Sequence, residues 1–276
     1  GAIGIRVGVV IAARNEELYL EKTLQHLLEQ TLRPDEIVVV DDGSTDKTAE
    51  IARKHNAKVI SLRDRGYDVV GSPILLKVRN IGLQALSKRD EFEYIMVLDA
   101  DHILPKRYLA TIISRMEKTL DLAIASGRFL RQKWYPDAPI ESGRIYRSRF
   151  FRDIGFFPVN HAGEDYPLFK AVKMGCKIVC FEDLPTLQQR PIKLSRRKLF
   201  YLGKGMKALG YDPLYFSGKF AIMFLKSPGA AIGMLSGYMS PEVKKYSDLK
   251  GFTKYWQRQK LFERVRNLIN PQTALG

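Results

Sequence analysis

Two aspartates, Asp99 and Asp101, close the apolar run YIMVLDADHILP (Tyr94 to Pro105). Like charges that close are tolerated when a cation lies between them, so the first chemistry the sequence suggests is the holding of a cation. Two more acidic clusters end other patterns: Asp41 and Asp42 after EIVVV, and Glu164 and Asp165 in GEDYP. A helix dipole accounts for acids at a helix start, and turn chemistry for DDGSTD. Three such clusters together exceed what those two effects require.

The elements that must carry these acids alternate through residues 7 to 126. VGVVIA (Val7 to Ala12) reads as a strand, and Asn15 is expected to cap a helix with leucines at 20, 24, 27 and 28 on one face. Glu36 to Asp42 and Lys58 to Leu62 read as strands around a helix capped by Ser44 or Thr45. LLKVRNIGLQALS is a third helix, Tyr94 to Leu98 a buried strand, Tyr108 to Thr119 a helix and Leu122 to Ser126 a strand. That order predicts an α/β fold, a Rossmann-like, mostly parallel sheet with helices on both faces. Ligands of such sheets bind beyond the carboxyl ends of the strands, and the first two acidic pairs share that edge.

Residues 127 to 163 are rich in arginine and aromatics, after which GEDYPLFKAVKMGCKIVCF gives a helix ended by Gly175 and a strand. From 184 to 211 there are seven basic residues (Arg190, Lys193, Arg196, Arg197, Lys198, Lys204, Lys207) and no acidic one. Tyr215 to Tyr238 is the most apolar stretch, yet Lys226, Pro228 and glycines interrupt it, whereas a spanning helix needs roughly 20 apolar residues. Core packing and a place in a membrane interface both suit it. The last 35 residues read as a basic amphipathic helix. The expected organisation is a catalytic domain over 1–185 and a basic, partly apolar helical extension over 186–276.

A chain of 276 residues with 45% hydrophobic content buries a real core, and its formal charge of +15 calls for an anionic partner: nucleic acid, nucleotide phosphate or an acidic membrane surface. Cys176 and Cys180 read as a reduced structural pair, because no further cysteines or nearby histidines complete a zinc set. No signal peptide opens the sequence, so a cytoplasmic place is expected, peripheral at the inner face of the cell membrane. Three other classes fit poorly. A haloacid-dehalogenase-type phosphatase needs its D-x-D near the chain start and a threonine where Ile103 stands. A nucleic-acid binder leaves the carboxylates without purpose. GKGMKALG (Gly203 to Gly210) has the wrong glycine spacing for a dinucleotide fold and follows no strand.

In order and spacing, VVIAARNEE, IVVVDDGSTDKT, KVRNIGLQAL, VLDADHILP and GEDYPLFKAVKMG resemble the inverting nucleotide-sugar transferases of glycosyltransferase family 2, over roughly residues 5 to 185. The resemblance implies a GT-A fold, a nucleoside-diphosphate-sugar donor carrying UDP or GDP, and a manganese or magnesium ion. It implies Asp101 as main metal ligand, with Asp99 on the ribose or the metal. Asp42 would accept from the base, Ala12, Arg14 and Glu16 would line the nucleotide pocket, and Arg79 would lie near the diphosphate. Asp165 would be the base that deprotonates the acceptor, a glycan or lipid-linked hydroxyl or phosphate, with Glu164 second; nucleic acid is not an expected partner. The chain departs from the family pattern at Ala12, where proline is usual, and at Pro167, where an acid is common. QQRPI stands where relatives carry a histidine or QxxRW, which argues against a processive polysaccharide synthase and leaves His102 as the alternative third metal ligand.

Overall fold

β1 (Val7–Ala13) is apolar along both of its faces, which is what a strand needs in order to lie inside a parallel sheet. It pairs in parallel with β2 (Glu36–Asp41) on one side and β4 (Tyr94–Asp99) on the other. The structure, a computed structural model, describes residues 4–87, 92–191 and 195–269. Its sheet runs in the order β3 (Lys58–Ser61), β2, β1, β4, β7 (Arg144–Arg147), β6 (Leu122–Phe129), β8 (Lys177–Gln188), β5 (His102–Ile103).

Alternate side chains of β1 meet different helices. Val7, Val9 and Ile11 join a core with Leu20, Leu24 and Leu27 of α1 (Leu20–Leu28), Ala52 of α2 (Thr48–Lys54) and Ile112 and Met116 of α4 (Tyr108–Lys118). On the other face Val10 touches α3 (Ile74–Ser87) so closely that a Cβ on Gly82 would stand 2.5 Å from Val10 Cγ1. The sheet is therefore covered on both sides, as the sequence pattern implies. It is also less uniform than that pattern. β7 runs antiparallel to β4 and β6, and β5 antiparallel to β8, while β6 and β8 are parallel.

β7 has no apolar signature because its arginines turn inward. Arg144 is 1% exposed and donates through Nη2 to Pro139 O at 2.8 Å and through Nε to Ile140 O at 3.1 Å. Arg147 Nε donates to Leu122 O at 2.9 Å. α5 (Ser148–Asp153) follows at once. Two expected helix caps are also corrected. Asn15 sits at φ 53 and does not cap: its Oδ1 accepts from Thr45 N at 2.9 Å, and α1 begins only at Leu20. Neither Ser44 nor Thr45 caps α2; Asp46 Oδ1 accepts from Thr48 N at 2.9 Å instead. The Asn15–Thr45 bond ties the loop after β1 to the loop after β2, as do Asn15 N–H to Ser44 Oγ at 3.0 Å and Glu17 N–H to Asp46 Oδ2 at 3.1 Å.

By internal contacts the chain divides into two units, Gly1–Val159 with Lys170–Ile192, and Asn160–Phe169 with Lys193–Gly276. The first holds the whole sheet, and the 185/186 boundary expected from sequence falls within β8. The second holds α7 (Arg196–Ala208), α8 (Pro213–Lys226), α9 (Pro228–Met239) and α10 (Phe252–Ile269). α6 (Tyr166–Lys173) starts in Asn160–Phe169 and ends in the first unit. The apolar stretch is thus two helices broken at Ser227–Pro228. α7 and α9 cross in backbone contact: a Cβ on Gly237 would lie 1.9 Å from Phe200 O, one on Gly203 1.9 Å from Met234 O, and one on Gly233 2.8 Å from Arg196 O. Only glycine admits that approach.

Candidate active site

Sheet register brings most of the expected residues to one rim. Asp99 pairs with Ala12, and Asp41 with Ala13, so the ends of β4, β1 and β2 lie side by side. Arg14 leaves β1 and donates from Nη1 to Asp42 O at 2.5 Å and from Nη2 to Asp64 Oδ1 at 2.7 Å. Asp42 is 3% exposed and paired with Arg65. Its carboxyl is held above the ordinary range, chiefly by burial, with Arg65 and then Arg14 opposing.

Around the D-x-D turn, charges alternate. Arg79 is 4% exposed and lies 3.0 Å from Asp99 Oδ1 and 2.5 Å from Glu141 Oε1. The family resemblance implies Arg79 beside the diphosphate; here its guanidinium fork grips two carboxylates, one of them the first aspartate of the turn. Asp101, 6% exposed, lies 3.3 Å from Arg190 Nε, and the same guanidinium binds Glu16. Arg190 also stacks 4.7 Å from the Tyr19 ring. Loss of water raises the Asp99 carboxyl above its usual range, against the pull of Arg79 and with Glu141 and Asp101 adding to the rise.

Glu16 is raised to about 7, first by burial; Arg190 lowers it and Asp101 raises it. A folded chain that keeps a proton on Glu16 which the unfolded chain releases near 4.5 loses this stabilisation as pH rises from about 4.5 to 7. We therefore expect the melting temperature without added metal to fall across that window, and Glu16→Gln to flatten the slope. A variant with the parental slope would show that Glu16 does not titrate there.

The turn itself is located by neutral hydrogen bonds. Asp99 N–H donates to Ser142 Oγ at 2.8 Å, Ser142 Oγ lies 2.7 Å from His102 Nδ1, and His102 Nε2 lies 2.7 Å from Thr186 Oγ1. Thr186 donates to Arg128 O at 3.0 Å. A carbonyl only accepts, so Thr186 takes its other bond from an Nε2–H, and Nδ1 accepts from Ser142. His102 is 1% exposed, and burial lowers its pKa to about 3. Both ring nitrogens are bonded to hydroxyls, and in this arrangement the imidazole supports the turn. Gln189 adds two ties: its N–H donates to Asp101 O at 2.8 Å and its Nε2 to Thr23 Oγ1 at 3.0 Å, while Thr23 donates to Ala100 O at 2.7 Å.

Around the D-x-D turn four carboxylates (Glu16, Asp99, Asp101, Glu141) thus stand beside two guanidiniums (Arg79, Arg190), and the raised pKa of Glu16 and Asp99 marks acids that a cation would help to ionise. Among the described residues no three His, Cys, Asp or Glu side chains converge as a ready metal cage. Such a donor set fits a hard divalent ion that takes one or two carboxylates from protein and the rest from phosphate and water. Sequence reasoning misses Arg65, Asp64, Glu141 and the Glu16 contact of Arg190. Arg190 shows in the sequence only as one of a basic run; its place in QQRPI, just past the last strand, is the usable signal.

Glu164 and Asp165 belong to the second unit, immediately before α6. Asp165 N–H donates to Ala162 O at 3.1 Å, with Ala162 at φ 54. Tyr166 donates to Asp248 Oδ2 at 2.7 Å and its ring lies 4.7 Å from that of Tyr246, whose hydroxyl donates to His161 O at 3.1 Å. Burial, then Glu164, holds the Tyr246 phenol strongly on its protonated side. The two acids therefore sit in a tyrosine-lined, partly exposed segment at a helix start.

The family model described as glycosyl transferase family 2 matches residues 8–167, more than half of the chain. The chain is 29% identical over 181 residues to glycosyltransferase GlyG of Streptococcus pneumoniae, covering 60% of this chain and 56% of GlyG. It thus spans little more than half the length of that curated relative. A mannosyltransferase of Pyrobaculum calidifontis, solved with GDP-Man and Mn2+, superposes with a TM-score of 0.59 at 18% identity, over 95% of this chain and 87% of that one. S. aureus TarS 1–349 with UDP-GlcNAc gives 0.55 at 20% identity, over 74% of this chain and 66% of the other.

Proposed function

The chain belongs to glycosyl transferase family 2, and from that premise we propose that it transfers a sugar, with inversion, from a nucleoside diphosphate sugar to an acceptor hydroxyl or phosphate. The observation that carries the reading is the D-x-D turn at the end of β4, where four carboxylates stand beside two guanidiniums. Asp101, with Asp99, would hold a manganese or magnesium ion, which when bound stabilises the charge of the departing diphosphate. Asp42 would accept from the base, within the pocket formed with Ala12, Arg14 and Glu16. Arg79 fixes Asp99, and Arg190, its side chain 45% exposed, is the guanidinium best placed to turn towards phosphate oxygens. Asp165 would take the acceptor proton as the acceptor oxygen attacks the anomeric carbon, with Glu164 the second choice.

The UDP-sugar and GDP-mannose of the two structural neighbours support a UDP or GDP donor. The charge of +15 supports an acceptor linked to a lipid phosphate, met at the inner face of the cell membrane. Among the described residues no helix is long and apolar enough to cross a membrane, so contact would be peripheral. A thermal-shift series with UDP-, GDP- and dTDP-sugars and manganese tests the donor: the correct nucleotide raises the melting temperature, because it binds only the folded chain. No shift with any of them, with or without metal, would overturn the proposal.

A further inference from the structure

We infer that the α8–α9 hairpin tip and the adjoining start of α7 form a docking end for an anionic bilayer. Three observations within the second unit converge on it. First, α8 turns apolar residues outward: Leu214 is 68% exposed, Ile222 60%, Phe224 45% and Leu225 87%. Leu214, Ile222 and Leu225 fall on one helical face, at intervals of eight and three. Ile232 and Met239 of α9 are exposed as well, at 47% and 67%. The inner residues of the hairpin are satisfied separately, with the Phe216 and Tyr238 rings stacked 3.9 Å apart. Leu18 and Leu120, in the first unit, are exposed with no other exposed large hydrophobic beside them in sequence, which is ordinary for a protein surface.

Second, the charge around this face has one sign. From Pro213 to Ser240 there is no acidic residue, and Lys219 and Lys226 are the only charges. The segments of this unit carry sixteen Lys and Arg against six Asp and Glu, +10 of the total +15. Part of that excess is engaged: Lys204 pairs with Glu242 at 2.6 Å, and Lys207 binds Ser240 O. Arg196, Arg197 and Lys198 remain exposed in the first turn of α7. Cations there oppose the positive end of the helix, so the position favours an anionic neighbour.

Third, the glycine crossing puts Ile222, Phe224 and Leu225 at the same end as the basic turn, with Leu214 and Met239 at the other end of the hairpin. Gly233 meets Arg196 and Gly237 meets Phe200, so α9 and α7 run in the same direction. The tip at Ser227–Pro228 lies five residues before Gly233, about 8 Å along the helix axis from the start of α7. Apolar side chains beside a cationic helical turn match the boundary between acyl chains and anionic headgroups. Lys193, in the same basic run, lies outside the described residues.

The inference rests on the membrane-surface reading of the proposed function and gives it a location. Its test uses no donor, so failure here leaves donor binding to be judged separately. The chain is sedimented with vesicles of phosphatidylcholine alone and of phosphatidylcholine with phosphatidylglycerol, at low and high salt. Binding should need phosphatidylglycerol and weaken with salt. Leu225→Glu should lower partitioning about tenfold or more, and neutralising Arg196, Arg197 and Lys198 to Gln should cost about fivefold for each charge. Leu225→Lys should retain more binding than Leu225→Glu, and Leu120→Glu, an equally exposed site in the first unit, should bind like the parent. Binding unchanged in Leu225→Glu, or independent of phosphatidylglycerol and salt, overturns the inference. So does a concentration-dependent dimer that Leu225→Glu dissolves with no vesicle binding by the parent, since the face then meets a second copy.

Discussion

Asp165→Asn is expected to lower transfer by about 10²- to 10⁴-fold, the usual worth of a positioned base, while leaving donor affinity close to the parental value. Asparagine keeps the size and the backbone contact to Ala162 O but cannot take a proton from the acceptor. The expected split follows from where the groups sit. Arg14, Asp42, Asp99 and Asp101 belong to the first unit and Asp165 to the second, so titration calorimetry with the donor and initial rates with an acceptor report on different side chains. A fully active Asp165→Asn would remove this residue as base and move attention to Glu164. Lost donor affinity would show instead that the residue holds the donor.

Asp101→Ala has the second large effect, on binding rather than on chemistry. The residue lies 3.3 Å from Arg190 Nε and raises the pKa of Glu16. Removing it relieves repulsion and leaves Arg190 with Glu16 as partner. The substituted chain should therefore melt no lower than the parent when no metal is added. What it should lose is the added stability from manganese with the donor, together with several kcal/mol of metal-dependent affinity, on the order of 10²- to 10³-fold. Affinity unchanged in the presence of metal would refute the assignment of Asp101. A general collapse of melting temperature would show that the carboxylate is structural.

The strands of the first unit are legible because an apolar run that stops abruptly at acids suits a buried strand emerging at a sheet edge and little else: β1, β2 and β4 lie within a residue or two of where the pattern puts them. β7 is not legible, since RIYR carries its apolar side on two residues and hides Arg144 among carbonyl oxygens that no sequence pattern announces. Asn15 misleads for a related reason. Its amide can cap a helix or bridge two loops, and only the nearness of Thr45 decides. In the site, residue types tell which groups carry charge but not which of them are paired. Arg79 and Arg190 each hold two carboxylates across long sequence separations. Glu141, from a segment that reads only as arginine-rich and aromatic, completes one of those sets.

The chain of bonds from Asp99 N–H to Arg128 O can be written in one sense alone. It starts at an atom that can only give a proton and finishes at one that can only receive, so no member between them is able to turn around. None of its links gains or loses charge near neutrality. Acidity can thus change what the two aspartates hold without moving where they stand, and the fastening of the tip of β4 is indifferent to the chemistry performed on it.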